Sequence, residues 1–197
     1  MHGIHFSTRQ ITFISIMGAL DFVLIYIVAN IEPPLQIPGH DGIFWIIPIF
    51  ASVGIVKKLG SATCTSAITG VLAAFTGLEA VGLFAVLEYL AMGIAIDLLA
   101  LAFRGYLKNI IVGFVIGSAG NLTKLALHYP ILLFLGMTKT HIILIGFGGA
   151  MVSYFIFGGL GGVITSTILW RFDRSSSPSI SISGQPENQI KKVTIEK

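Results

Sequence analysis

Six side chains that can carry charge or hydrogen-bond strongly lie inside apolar stretches: Asp21, Glu88, Asp97, Asn121, Lys124 and His128. A charge at the centre of a membrane helix costs roughly 2.5–3.5 kcal/mol on the insertion scale, so such residues usually face a protein interior or a wet cavity. At about 100° per residue, Asn121, Lys124 and His128 fall on one stripe of a helix that Gly117 extends. On the preceding helix Glu88 lies opposite Glu79 and Asp97, so Glu88 is expected to look into a cavity. Asp97 shares a face with Arg104 and is expected to be a near-interface charge. Counting about 1.5 Å per residue, Asp21, Glu88, Asn121, Lys124 and His128 reach similar depths in the middle and outer membrane. A carboxylate, an amide, an ammonium and an imidazole at one depth can orient a small polar molecule or relay a proton. A plainer reading pairs Glu88 with Lys124, makes Asn121 interhelical glue and leaves His128 a satisfied interior histidine. Trp45 and Tyr89, with Phe44, Tyr129 and Tyr154, can supply flat walls.

Other chemistry is absent. There is no GxxxxGK[ST] phosphate loop, HExxH, CxxC or GxSxG, so neither an ATPase of its own nor an enzyme is expected. No metal, cofactor or nucleic-acid partner is expected. Asn121-Leu122-Thr123 matches a glycosylation sequon but falls within a span. Cys64 is the one cysteine; it excludes an internal disulfide and reads as a small packing residue.

The elements that position these residues follow from hydropathy. Of 197 residues, 54% are hydrophobic and 11% charged, against roughly 25% charged in soluble domains. Apolar runs of the roughly 20 residues that a 30 Å bilayer core requires recur along the chain. They predict an all-α membrane protein with six transmembrane helices, about 10–29, 43–56, 59–75, 76–103, 109–135 and 142–170. Ser7 with Gln10 is a capping box for the first, and Thr76 with Glu79 for the fourth. Residues 1–172 form the membrane domain; 173–197, rich in Ser and charge, read as a disordered cytoplasmic tail. Six alternating spans place ten of the 12 basic residues on one side. Lys139 falls on the other side and Lys124 within a span. The positive side is cytoplasmic, so both termini are expected inside, in a multi-pass protein of the plasma membrane. Trp45 is then expected at the outer interface and Trp170 at the inner.

Three further features concern packing. Ser15 and Ala19 make a small-xxx-small pair on the first helix, nearly opposite Asp21, which lets a partner helix approach. The loop 32–42 (EPPLQIPGHDG) is stiff and suits either a lid over an outward site or a plain connector. The glycine-rich sixth helix is either tightly packed or flexible.

This layout resembles the S component of energy-coupling factor (ECF) transporters, over roughly residues 7–172. The likeness lies in six spans with the N-terminus inside, a structured first outer loop, Ser15-xxx-Ala19 in place of the family's Ala-xxx-Ala, and polar groups on the later helices. Within that family, 39–77 and EYLAMGIAID (Glu88 to Asp97) look like the hydroxymethylpyrimidine/thiamine S components. Met1-His2 begins as cobalt and nickel S components do, but the residues that follow differ. The resemblance implies a subunit that binds a vitamin-like molecule from outside and docks on a transmembrane coupling subunit carrying two ATPases. Ser15 and Ala19 would meet the coupling subunit. Glu88, Asn121, Lys124, His128, Asp21, Trp45 and Tyr89 would line the substrate site. Two mid-depth acids against one lysine favour a flat heteroaromatic substrate, neutral or cationic. Two other readings stay open: a small ion channel or proton-coupled carrier using the same polar residues, and a non-transporting membrane assembly protein with the tail as its contact.

Overall fold

The computed structural model describes residues 5–31, 39–136 and 140–176. Among them the chain forms six helices and no strand: α1 (Thr8–Ile31), α2 (Gly42–Val56), α3 (Ser61–Thr76), α4 (Ala85–Ala102), α5 (Ile110–Phe134) and α6 (Thr140–Ser176). A single 3-10 turn, Gly82–Phe84, precedes α4. Most of the loop 32–42, with its lid, and of the tail 173–197 lies outside the described residues. Asp173 to Ser176 belong to α6 rather than to the tail.

Local chemistry explains several helix ends. Ser7 and Gln10 form the expected capping box: Ser7 N donates to Gln10 Oε1 at 2.9 Å and Gln10 N to Ser7 Oγ at 3.4 Å. Asn109 caps α5 by accepting from Ile111 N at 2.8 Å. The second expected box does not form. Gly77, at φ 70°, stops α3 in the left-handed conformation that glycine adopts without strain. Thr76 therefore ends α3, where its hydroxyl donates to the Leu72 carbonyl at 2.8 Å. Glu79 falls in the loop and α4 starts later. Asp97 also departs from a simple interface charge. It is 3% exposed and accepts from Ala62 N (3.2 Å), Thr63 N (2.8 Å) and Thr63 Oγ1 (2.7 Å). It thus caps the N-terminus of α3, which offers unpaired N–H groups and a partial positive charge.

Successive helices run in alternating directions. The start of α1 meets the end of α2 through Lys58 Nζ and the His5 carbonyl, 2.6 Å apart. The Asp97 cap joins the start of α3 to the later part of α4. Ser166 of α6 donates to the Leu107 carbonyl, just before α5, at 2.7 Å. Lys57, Lys58, Arg104, Lys108 and Asp173 thereby gather at one end of the bundle.

α2 is the central helix, packed on all five others; Ile46, Ile49 and Phe50 are fully buried. Four glycines of α6, Gly158, Gly159, Gly161 and Gly162, serve tight packing, while Gly148 and Gly149 face open space. A Cβ on Gly162 would stand 1.9 Å from the Gly113 carbonyl oxygen, and one on Gly117 2.1 Å from that of Gly158, so the α5 and α6 backbones touch directly. Gly18 plays the same part between α1 and α3.

Polarity is inverted relative to a water-soluble protein. Asp21, Glu88 and Asn121 are fully buried, while Ile16, Leu98, Val152 and many like them face outward. Four helices are long and apolar enough to cross a membrane, over Thr8–Asn30, Gly82–Ala102, Ile110–Phe134 and Gly146–Ser175. α2 and α3 are apolar but shorter, with 15 and 16 residues, roughly 23 Å each.

Candidate binding site

The site lies at the end of the bundle away from the basic cluster and centres on Lys124. Its side chain is 2% exposed. The ammonium is 2.7 Å from Glu79 Oε1, 3.6 Å from the centre of the Trp45 ring and 4.2 Å from that of Tyr89. Both distances are well inside the range of about 6 Å for cation–π attraction. The two rings meet edge to face, 6.3 Å apart. A lysine from α5 thus sits in an aromatic cage built from α2 and α4, closed by an acid from the loop after α3.

Each wall is fixed by a hydrogen bond. Trp45 Nε1–H donates to Asn121 Oδ1 at 3.0 Å, and Asn121 Nδ2 donates to the Tyr154 carbonyl at 2.8 Å. Gly42 and Gly158 leave the room for that amide: a Cβ would stand 2.3 Å from Asn121 Nδ2 at Gly42 and 2.5 Å from Asn121 Cβ at Gly158. The Tyr89 hydroxyl donates to Glu79 Oε1 at 3.1 Å. Gly39, at φ 77°, packs on the Tyr154 ring, with room for no side chain. Trp45 is therefore a buried, hydrogen-bonded wall, 3% exposed, rather than an interface anchor. Trp170 is 48% exposed.

The carboxylates flank this cage. His128 Nδ1 stands 3.0 Å from Glu88 Oε1. Asp21 Oδ2 accepts from Thr69 Oγ1 at 2.8 Å, and Asp21 lies within electrostatic reach of Lys124. Glu88 Oε2 and Asp21 Oδ1 are buried without a hydrogen-bond partner among the described residues. A buried carboxylate oxygen with no donor is costly and calls for an explanation. Burial pushes the Glu79 carboxyl up, but the Lys124 charge, the Lys124 and Tyr89 hydrogen bonds and His128 outweigh it, and the net shift is downward.

Of the seven residues singled out from the sequence, Trp45, Tyr89, Asn121 and Lys124 meet directly in the cage, while Glu88 with His128 and Asp21 with Thr69 form flanking pairs. The pair of the plainer reading, Glu88 with Lys124, does not form: Lys124 pairs with Glu79, and Glu88 with His128. Glu79 and Thr69 were missed, Glu79 because it read as a helix cap. Its signal was the flanking glycines, Gly77 and Gly82, which mark a loop free to turn an acid inward. Ser15 and Ala19 are exposed on α1, on the side away from buried Asp21. No family model, curated protein or solved structure matches the chain.

Proposed function

We propose that the chain is the substrate-binding subunit of an ECF-type importer, taking a small, flat heteroaromatic molecule, neutral or cationic, such as thiamine or hydroxymethylpyrimidine. In this reading all six helices span the plasma membrane, with both termini in the cytoplasm and the Lys124 cluster toward the outside. The alternating helix directions and the gathering of cations at one end support that orientation. Transport then requires a coupling subunit and two ATPases, and the exposed Ser15–Ala19 face of α1 is the contact offered to the former.

The observation that carries the reading is the aromatic cage flanked by two orphaned carboxylate oxygens, Asp21 Oδ1 and Glu88 Oε2. Three acids, Asp21, Glu79 and Glu88, face one lysine and one histidine. Such a site suits a ligand that brings a flat ring and hydrogen-bond donors, because the rings stack and the oxygens accept. Lys124 fills the cage, so a ring that stacks there displaces its ammonium from the faces of Trp45 and Tyr89. The test is tryptophan fluorescence of purified protein titrated with flat heteroaromatic amines, a quaternary heteroaromatic cation and a heteroaromatic carboxylate. Binding of the first two, weakened at least about tenfold by Glu88→Gln, is expected for loss of one charged hydrogen bond. Binding of the carboxylate alone would sink the proposal.

A second reading, a proton path, draws on one observation. Polar groups continue inward from Asp21 along α3, through Thr69, Thr65 and Ser61 to the Asp97 cap. Thr69 donates, however, to Asp21 at 2.8 Å and Thr65 to the Ser61 carbonyl at 2.9 Å, and not to each other. Proton flux into liposomes that Asp21→Asn abolishes would favour this path.

A further inference from the structure

At the opposite end of the bundle a cavity of about 460 Å³ opens between the ends of α2, α4 and α6 and the starts of α3 and α5. Its volume falls within the roughly 300–1,000 Å³ of small-molecule sites. Four cations line it, Lys57, Lys58, Arg104 and Lys108, against two carboxylates, Asp97 and Asp173. Both carboxylates are engaged. Asp97 accepts from the start of α3, and Asp173 pairs with Lys108. Lys58 is turned to the His5 carbonyl. Lys57 lies within electrostatic reach of Asp173, but neither its ammonium nor the Arg104 guanidinium forms a hydrogen bond or ion pair among the described residues. The cavity therefore carries a surplus of two positive charges, with two side chains positioned to use it.

The remaining wall is apolar, and part of it faces outward: Leu101 is 46% and Phe172 57% exposed. Cations beside outward-facing apolar side chains at the end of membrane-length helices fit a molecule that is anionic at one end and apolar at the other. We infer that this cavity binds the phosphate headgroup of an anionic phospholipid, with its acyl chains along Leu101 and Phe172. A basic pocket between helices at the positive end of a membrane protein is a favourable place for such a headgroup. The site is separate from the Lys124 cluster and does not depend on the function proposed for it.

Lys57 also provides a clean test. It is the one described non-glycine residue with positive φ, 55°, where glycine is at least as comfortable. Lys57→Gly thus removes a cation without straining the fold, and Arg104→Gln, at an exposed position, does the same. The full chain is purified, equilibrated with equal amounts of phosphatidylglycerol and phosphatidylcholine in mixed micelles, and examined by native mass spectrometry. The natural chain is expected to retain phosphatidylglycerol about tenfold or more over phosphatidylcholine, and the double variant to lose that preference, as two lipid-facing cations imply. Equal retention of both lipids, or an undiminished preference in the double variant, overturns the inference. Displacement of the lipid by an equal concentration of glycerol phosphate overturns it too, since the site would then serve a soluble phosphate ester.

Discussion

Replacing Lys124 by methionine keeps the length of the side chain and removes its charge. Three interactions go with it: the 2.7 Å pair with Glu79 and the contacts at 3.6 and 4.2 Å with Trp45 and Tyr89. Removing one partner of a buried ion pair costs about 3–5 kcal/mol, mostly because the other charge is left buried. Glu79 is 16% exposed and recovers some hydration, which puts its part near the lower bound. Each lost cation–π contact adds roughly 0.5–2 kcal/mol, while the methionine thioether keeps some contact with the rings. The sum is about 4 kcal/mol. For a chain of this size about 2–4 °C of Tm accompanies each kcal/mol, so Lys124→Met is expected to melt about 10 °C lower in detergent. Glu79→Gln alone leaves the lysine buried and also destabilises. The double variant should be less unstable than the two losses added, by about 2 kcal/mol, as expected for directly coupled groups. Additive losses, or a Lys124→Met protein within about 2 °C of the natural chain, would refute the view that this pair closes the cluster.

Two further outcomes follow from the geometry. The Glu79 carboxyl sits below its ordinary value of 4.5, so its contribution to stability is fully present above that value and lost as pH falls through the lowered one. The natural chain should therefore lose Tm on acidification below about pH 4.5 more steeply than Glu79→Gln, whose own pH profile should be flatter there. Gly162→Ala puts a methyl 1.9 Å from the Gly113 carbonyl oxygen. Because both partners are backbone, α5 and α6 must separate, and a loss of about 1–3 kcal/mol is expected by chemical or thermal denaturation.

The chain's periodicity by itself determined most of the fold. Apolar runs and glycine and proline breaks located all six helices, because a hydrophobic segment and a left-handed stop are local facts, but the start of α4 was set nine residues early and the end of α6 six residues short. The Ser7–Gln10 cap was legible for the same reason. The polar members of the cluster, Asp21, Glu88, Asn121, Lys124 and His128, stood out as well: a polar group in an apolar run is expensive, and the expense shows in one dimension. Tertiary structure alone decided who meets whom. Glu79 lies 45 residues from Lys124 and looked like the start of a helix; only the turn at Gly77 sends it into the cluster. Lys124 was an obvious partner for Glu88, yet the rings of Trp45 and Tyr89 draw its ammonium to Glu79 and leave Glu88 to His128. Asp97 looked like an interface charge and became a cap because α3 begins beside it. That Gly158 and Gly162 of α6 serve close packing could be read only once Gly113 and Gly117 stood against them. Sequence records which groups are costly to bury, while the distances that offset that cost exist only between helices.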